Sequence, residues 1–391
     1  MAFPERFANL PDYAFPRLRA LLDGYPPGAE PIAMSIGEPR HPFPDFVGPA
    51  FEEALAGLAR YPSNEGTPDL LAAIGGAVRR RHGVALAPER LLALNGTREG
   101  LFNAALALCP EPAGARPAVL MPNPFYQDYA AGALAAGAEP VFLPATAATG
   151  HLPDLDALAP ELLDRAALFY LCSPANPQGA VASCDYWARL LALAERHDFR
   201  VLADECYTDI YRDAPPPGIL EIAAATGADP ERALSFQSLS KRSNLPGLRS
   251  GFVAGGAECI RRMRQLRNYG GAPLPPPVQA VSARLWDDDA HVAENRALYA
   301  GKYTIAQDIL GDIAGVAIPS AGFFLWLPVA DDEAAALRLW REAGLRVLPG
   351  RYLSRAVAGQ DPGRGHIRVA LVAPHEEVRD GLTRLRAVLY D

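Results

Sequence analysis

The sequence predicts an α/β protein. Its large domain has helices on both faces of a mostly parallel seven-stranded sheet, and a smaller α+β domain follows. Between residues 90 and 255, seven short apolar runs alternate with longer segments rich in Ala, Leu and Arg. Fully apolar strands that alternate with helices are typical of parallel sheets covered on both faces. After residue 285 the strand-like runs are fewer, which favours a second domain of another type.

The elements are expected in a regular order along the chain. Residues 1–50 show little periodicity and predict an irregular arm, and helices are expected near residues 51–58 and 69–81. The seven strands are expected at residues 91–94, 118–121, 140–143, 167–172, 200–203, 234–236 and 251–254. One long helix is expected over residues 280–309. The remaining elements are a helix at 332–343 and strands at 323–327, 345–348 and 366–371.

This order predicts three segments. Residues 1–48 form an arm that belongs to the small domain, residues 49–285 form the large domain, and residues 286–391 form the small C-terminal domain. A chain of 391 residues is long enough for two hydrophobic cores.

Charge and hydropathy argue against several classes of protein. Lys plus Arg number 37 and Asp plus Glu number 45, which gives a net charge of −8, so no nucleic-acid partner is expected. No apolar run reaches the roughly 18 residues that a membrane helix needs. The first residues contain no apolar leader, so the expected location is the cytoplasm.

The cysteines and lysines carry different information. The five cysteines are odd in number and contain no CxxC pair, so neither a disulfide framework nor a metal site is expected. Only two lysines occur, Lys241 and Lys302, whereas the other cations are arginines. Lysine can lose its proton and act as an amine nucleophile, which arginine cannot do. Lys302 lies in a helical run and is expected to face solvent.

Ligands of a parallel sheet bind beyond the carboxyl ends of its strands. The residues that follow the first two predicted strands suit an anion and a flat ring. Thr97 and Arg98 follow the first strand at a helix start, where amide groups and the helix dipole favour a phosphate. A helix start without a ligand is an equally good interpretation. Tyr126 follows the second strand and could stack on a ring or pack in the core.

The later strand ends carry polar groups that need partners. Asn176 lies between two prolines, in a rigid loop or a plain turn. Asp204 ends an apolar strand, and its carboxylate needs a partner such as a protonated ring nitrogen or an arginine. Ser238 and Arg249 could hold a dianion near Lys241. With Tyr207, these groups supply what pyridoxal phosphate requires, an amine for attachment and an acid for the ring nitrogen.

At these motifs the sequence resembles the class I/II pyridoxal-phosphate aminotransferases of fold type I, and the resemblance runs over essentially the whole chain. It rests on Ser238-x-Ser240-Lys241 with Arg249, on Asn176-Pro177-x-Gly179, and on Asp204-x-x-Tyr207. The resemblance implies that Lys241 forms the internal aldimine and moves the proton, and that Asp204 pairs with the pyridine nitrogen. It also implies ring contacts by Asn176, Tyr207 and Tyr126, and phosphate contacts by Thr97, Arg98, Ser238 and Arg249.

The same resemblance implies contacts beyond the cofactor. Tyr61 is similar to the tyrosine that reaches the partner subunit's phosphate, which implies a homodimer. Arg368 is similar to the arginine that binds the substrate α-carboxylate, and Gly37 would face that carboxylate through its backbone. The implied partners are small amino-acid and keto-acid substrates.

A narrower resemblance links residues 35–42, 239–250 and 363–373 to the succinyldiaminopimelate aminotransferases of bacterial lysine biosynthesis. It implies ping-pong transfer of the amino group of L-glutamate to N-succinyl-2-amino-6-oxopimelate. The additional carboxylates of that substrate need cations, for which Arg40, Arg242 and Arg351 are the candidates. Arg40 is favoured because it follows Gly37 closely, and a solvated surface charge is its alternative interpretation.

Three other functions remain open at this point. The first is an aminotransferase of the same fold for aspartate, kynurenine or acetylornithine. The second is a lyase or decarboxylase that uses the same cofactor. The third is the aminotransferase-like domain of a transcription regulator, which the absence of a helix-turn-helix pattern and of a basic stripe disfavours.

Overall fold

The computed structural model describes residues 7, 8, 10, 13–111 and 114–391. Most of the residues on which the leader expectation rests lie outside these ranges. The helices are α1 Ala14–Leu22, α2 Val47–Ala54, α3 Pro68–His82, α4 Thr97–Leu108, α5 Gln127–Ala135, α6 Pro160–Leu163, α7 Cys184–Arg196, α8 Ile219–Thr226, α9 Leu239–Arg242, α10 Ala257–Gly270, α11 Pro276–Asp287, α12 Ala290–Leu310, α13 Asp332–Ala343 and α14 His375–Leu389. The strands are β1 Ile32–Ala33, β2 Leu91–Leu94, β3 Ala118–Asn123, β4 Glu139–Pro144, β5 Ala166–Cys172, β6 Arg200–Asp204, β7 Ala233–Ser238, β8 Gly251–Ala254, β9 Phe324–Pro328, β10 Leu345–Arg346, β11 Leu348–Pro349 and β12 His366–Ala370.

The large sheet confirms all seven predicted strands. Its order is β2-β8-β7-β6-β5-β3-β4, and every neighbouring pair is parallel except the two that involve β8. Alternate side chains of these strands enter two separate hydrophobic clusters, one on each face. The strands are apolar at nearly every position because helices cover both faces.

A smaller layer lies beside this sheet. Strands β11, β12 and β9 form an antiparallel sheet, and β1 pairs in parallel with β10. The first segment is therefore joined to the C-terminal part of the chain by backbone hydrogen bonds. The divisions at residues 48 and 285 remain predictions, and the second falls inside α11.

Three predictions about single elements were wrong. The first segment is not wholly irregular, because Ala14, Leu18 and Leu22 line one face of α1 and pack against Trp340. The region 280–309 holds two helices, since the Asp288 carboxylate accepts the backbone N–H groups at the start of α12 and so ends the preceding helix. The run 345–348 is divided between two strands of different sheets.

The prediction that Lys302 faces solvent was also wrong. The side chain is fully buried in α12, and its Nζ has no hydrogen-bond partner among the described residues. Burial lowers the pKa of Lys302 from 10.5 to about 7, and the positive charge of Arg40 lowers it further, while Glu377 opposes the shift. No described helix is long and apolar enough to cross a membrane.

We expect Lys302 to make the stability of the protein depend on pH. Between pH 7 and 10.5 the unfolded chain binds more protons than the folded chain, so the free energy of unfolding should rise with pH across this window. The gain should be on the order of 3–5 kcal/mol. Lys302→Met should remove the rise and make the protein more stable at pH 7 and below. Urea titrations between pH 6 and 10 measure this.

Lys302→Arg is the matched control, because arginine keeps its proton throughout this range. At every pH, Lys302→Arg should be less stable than Lys302→Met. Its free energy of unfolding should not rise between pH 7 and 10.5. Parallel stability curves for the wild type and Lys302→Met would contradict the burial of a titrating amine.

Candidate active site

A cavity of about 560 Å³ opens at the carboxyl edge of the large sheet. Most of the side chains that the sequence singled out line it. These residues are Gly37, Thr97, Arg98, Tyr126, Asn176, Asp204, Tyr207, Ser238, Lys241, Arg249 and Arg368. The lining does not include Tyr61 or Arg40. Parallel strands bring residues from distant parts of the sequence to this one edge.

Lys241 lies in α9, a helix of four residues that begins where β7 ends. The hydroxyl of Ser238 caps this helix by accepting the backbone N–H of Ser240 at 3.0 Å. The Nζ of Lys241 donates to the carbonyl oxygen of Gly37. Burial lowers the pKa of Lys241 from 10.5 to about 8, so the neutral, nucleophilic amine is readily reached near neutral pH. A Cβ at residue 37 would lie 2.5 Å from the Phe324 ring. Only glycine therefore fits between Phe324 and the rest of the cavity wall at this position.

Asp204 ends β6, and its carboxylate is buried. It accepts a hydrogen bond from the Tyr129 hydroxyl at 2.7 Å and forms no ion pair with another described residue. Burial raises the pKa of Asp204, while the hydrogen bonds from Cys206 and Tyr129 oppose this shift. The charge of Lys241 opposes the shift as well, but it does not pair with the carboxylate. A buried carboxylate without an ion pair suits a ligand that brings a protonated nitrogen.

The start of α4 provides an anion site. Gly96 precedes it with a φ of 77°, and a Cβ there would lie 2.4 Å from Nη2 of Arg249. The absence of a side chain at Gly96 therefore lets the Arg249 guanidinium lie beside the helix N-terminus, where it donates to the carbonyl of Asn95 at 3.3 Å. The amides of the first turn, the hydroxyl of Thr97 and this cation together suit a phosphate dianion.

Arg98 is placed differently from what its expected role suggests. Its guanidinium donates to the hydroxyls of Tyr126 at 2.7 Å and Tyr13 at 3.0 Å, and the side chain is exposed. Tyr13 and Phe15 also line the cavity, so the first segment covers part of its opening. The contact of the Arg98 side chain with a phosphate stays a prediction.

Arg368 offers a site for a carboxylate. Its Nη1 donates to Oδ1 of Asn176 at 2.8 Å and its Nη2 to the carbonyl of Ser35 at 2.7 Å, whereas its buried Nε has no partner among the described residues. Burial lowers the pKa of Arg368 from 12.5 to about 10. A bound carboxylate would supply the missing acceptor and offset that desolvation. The amide nitrogen of Asn176 is left to donate elsewhere in the cavity.

The arginines considered for a distal carboxylate all have acidic partners within the chain. Arg40 pairs with Glu377, and the buried Arg242 pairs with Asp209 and Asp289. Arg351 pairs with three consecutive acids, from Asp331 to Glu333. None of these three arginines lines the cavity.

Tyr61 lies outside the cavity and is fully exposed. The side chains of Leu55, Leu58 and Tyr269 are also largely exposed. This arrangement is compatible with a contact to a second subunit, and the reach of Tyr61 into a partner's site stays a prediction. No group of three or more His, Cys, Asp or Glu among the described residues could hold a metal ion.

Taken together, the cavity residues fit pyridoxal phosphate. They offer an amine with a lowered pKa, a buried carboxylate without an ion pair, and an anion site at a helix N-terminus beside an arginine. The sequence identified these groups but did not single out Tyr129. No local pattern distinguishes a tyrosine that contacts Asp204 from one that fills the core.

We expect Tyr129→Phe to weaken cofactor binding, because the carboxylate of Asp204 loses a donor and its pKa rises further. The dissociation constant of pyridoxal phosphate should rise about 10-fold or more, as for the loss of a hydrogen bond to a charged group. Fluorescence titration of the cofactor-free protein measures this constant.

Tyr170→Phe is the matched control for this measurement. Tyr170 stacks on Tyr129 with ring centroids 4.5 Å apart, and its buried hydroxyl donates to the backbone of Leu101 at 2.7 Å. That variant should keep the cofactor affinity of the wild type. Equal losses in both variants would show that Tyr129 contributes only packing.

Comparisons with known proteins agree with this geometry. The family model for aminotransferase class I and II matches residues 29–385. An LL-diaminopimelate aminotransferase of Desulforudis audaxviator (strain MP104C) is 33% identical, and the match covers 100% of this chain and 99% of that one. A crystal structure of an aminotransferase from Neisseria meningitidis Z2491 superimposes with a TM-score of 0.93 at 38% identity, and the match covers 98% of each chain.

A further structure has a more specific description. A probable N-succinyldiaminopimelate aminotransferase from Thermus thermophilus superimposes with a TM-score of 0.85 at 28% identity, and the match covers 96% of this chain and 100% of that one. These matches confirm the predicted fold type I architecture. The chain belongs to the class I and II aminotransferases, whose members use pyridoxal 5′-phosphate.

Proposed function

We propose that this aminotransferase moves the amino group of L-glutamate to N-succinyl-2-amino-6-oxopimelate, on the route to diaminopimelate and lysine. The observation that carries the chemistry is the presence of Lys241, Asp204 and Arg368 in one cavity. They offer a nucleophilic amine, an acid for a ring nitrogen and a clamp for an α-carboxylate. The choice of substrate is supported by the names of the relatives, which include diaminopimelate and its succinylated form.

Each group of the chain has a defined part in this proposal. Arg368 binds the α-carboxylate of the substrate and so presents the hydrogen on Cα to Lys241. The amine of Lys241 would act as the base that removes the proton from Cα and as the acid that returns it. Asp204 keeps the ring nitrogen protonated. When bound, pyridoxal phosphate supplies the electron sink that stabilises the charge left at Cα.

The remaining cavity residues hold the cofactor in place. Asn176 and Tyr207 would donate to the oxygen on its ring, and Tyr126 would contact the ring. Thr97, Ser238, Arg249 and the first turn of α4 bind the phosphate. Tyr61 of a second subunit completes this phosphate site in a homodimer, which its full exposure in the single chain supports.

A second candidate substrate is unsuccinylated LL-diaminopimelate. It is favoured by the relative from Desulforudis audaxviator, which is 33% identical over its whole length and carries that substrate in its name. The two candidates differ at the far end of the molecule, where one has an ammonium group and the other a succinyl amide with a carboxylate.

A spectrophotometric half-reaction distinguishes the two candidates. Purified holoenzyme is mixed with L-glutamate, N-succinyl-LL-diaminopimelate, LL-diaminopimelate, L-aspartate or N-acetylornithine, each alone. We expect the absorbance band of the lysine-bound cofactor to be replaced by that of pyridoxamine phosphate with glutamate, and at micromolar concentrations with the succinylated compound.

A strong response to LL-diaminopimelate and none to its succinylated form would select the second candidate. A response only to aspartate or acetylornithine would move the enzyme to another substrate class. The absence of any cofactor band in the wild-type protein would overturn the role of Lys241.

We expect Arg40→Ala to lower kcat/KM for the succinylated substrate about 10-fold while the half-reaction with glutamate is unchanged. Arg40 is the candidate partner of the distal carboxylate, and it must give up its ion pair with Glu377 to bind that group. The loss of this pair costs little, because partly exposed ion pairs contribute only about 0–1 kcal/mol. Steady-state kinetics with both substrates measures the effect. A change within a few-fold would leave Arg40 as the surface ion pair that the structure shows.

A further inference from the structure

The second lysine of the chain is not explained by the fold. Lys302 is fully buried, and its ammonium group has no hydrogen-bond partner among the described residues. Its Nζ lies 4.8 Å from the ring centroid of Tyr299, one turn earlier in α12. Burial of an unpaired charge lowers stability, so the presence of Lys302 is not explained by a contribution to stability.

Two neighbouring groups share its lack of partners. The His41 ring lies against Tyr299 with centroids 4.8 Å apart, and the Tyr299 hydroxyl and the Nε2 of His41 are both buried and unpaired within the described part of the chain. Burial lowers the pKa of His41 to about 4, and the charges of Lys302 and His375 lower it further, while the hydrogen bond with Asn295 opposes the shift. The imidazole is therefore neutral at neutral pH.

Asn295 connects this cluster to the catalytic lysine. Its Nδ2 donates to the carbonyl oxygens of Lys241 at 3.1 Å and Arg242 at 3.3 Å. Its Oδ1 must then accept, and it lies 3.0 Å from Nδ1 of His41. The neutral His41 ring thus carries its proton on Nδ1 and fixes the orientation of the Asn295 amide.

The carbonyls that Asn295 binds are the ones that need a donor. The last carbonyls of any helix have no partner within the helix, and α9 is only four residues long, too short to be stable by itself. Asn295 supplies the donor from α12. The segment from Gly37 to His41 therefore holds Lys241 at two places, at Nζ through the Gly37 carbonyl and at the backbone through His41 and Asn295.

We propose that His41 and Asn295 are positioning residues for Lys241. Asn295 caps the helix that carries the catalytic amine, and His41, backed by Tyr299 and Lys302, holds the Asn295 amide in the donating orientation. Neither residue lines the cavity, and both act through Lys241. This proposal rests on the role of Lys241 in the proposed function.

Purified holoenzymes of His41→Phe and Asn295→Asp test the proposal. The first keeps a ring against Tyr299 without a donor, and the second keeps the shape of Asn295 but places a carboxylate against two carbonyls. Both should bind pyridoxal phosphate stoichiometrically. The pH at which the cofactor band changes should shift by about half a unit or more, because a displaced amine meets different charges.

The steady-state kinetics of His41→Phe and Asn295→Asp should also show a misplaced Lys241. In both variants kcat should fall about 10-fold or more, as for a misplaced catalytic group, while KM for glutamate stays within about threefold. The deuterium isotope effect with α-deuterated glutamate should increase, because Lys241 becomes slower in moving that proton. His41→Gln restores a side-chain donor and should recover most of the activity.

Tyr303→Phe is the matched control. It removes a buried hydrogen bond from the same helix, the bond between the Tyr303 hydroxyl and the carbonyl of Gly322, and leaves the hydrogen bonds of His41 and Asn295 in place. The melting temperature of Tyr303→Phe should fall about as much as that of the His41 and Asn295 variants. Its cofactor titration and its isotope effect should be those of the wild type. An unchanged titration and kcat in His41→Phe, or the same changes in Tyr303→Phe, would overturn the positioning role.

The experiment separates this proposal from the proposed function. If the wild type shows the cofactor band and turns over glutamate while the His41 and Asn295 variants behave like it, only the positioning role fails. If the wild-type protein itself shows no lysine-bound cofactor, the role of Lys241 fails and the positioning role falls with it.

Discussion

A buried carboxylate and a desolvated amine share one cavity at the edge of the large sheet, and the rest of the site depends on keeping both there. Asp204 has hydrogen bonds but forms no ion pair with a described residue, although the charge of Lys241 acts on it. The amine of Lys241 has a carbonyl but no carboxylate as its hydrogen-bond partner there. Each charge is unfavourable in such surroundings without a partner. A cofactor with a protonated ring nitrogen and an aldehyde offsets both costs at once, which explains why this cavity suits pyridoxal phosphate.

In the proposed function, different layers of the protein hold the cofactor and the substrate. The loops of the large sheet provide the anion site, the ring contacts and the amine. Arg368 comes from β12 of the smaller layer, and Gly37 comes from the first segment, which β1 joins to that layer. Arg368 would thus hold the α-carboxylate from one side of the cavity, whereas Lys241 lies on the other layer. The segment from Gly37 to His41 connects the two layers.

The sequence predicted the large sheet well because the strands of that sheet are apolar at nearly every position. The helices between the strands do not share this pattern. The sequence singled out most of the residues that line the cavity because they follow those strands directly. It failed where the outcome depends on distant packing. Lys302 looked solvated because nothing in α12 indicates which neighbours cover its faces, and the contacts of Asn295 with Lys241 and of Tyr129 with Asp204 join residues 54 and 75 positions apart.

The attachment site of the cofactor tests the central claim most directly, and the presence of only two lysines makes the answer unambiguous. Borohydride reduction of the holoenzyme makes the bond between pyridoxal phosphate and a lysine permanent, and peptide mass spectrometry then locates it. The account predicts the reduced adduct on Lys241 and none on Lys302. An adduct on Lys302, or no adduct in protein that has been saturated with the cofactor, would contradict it.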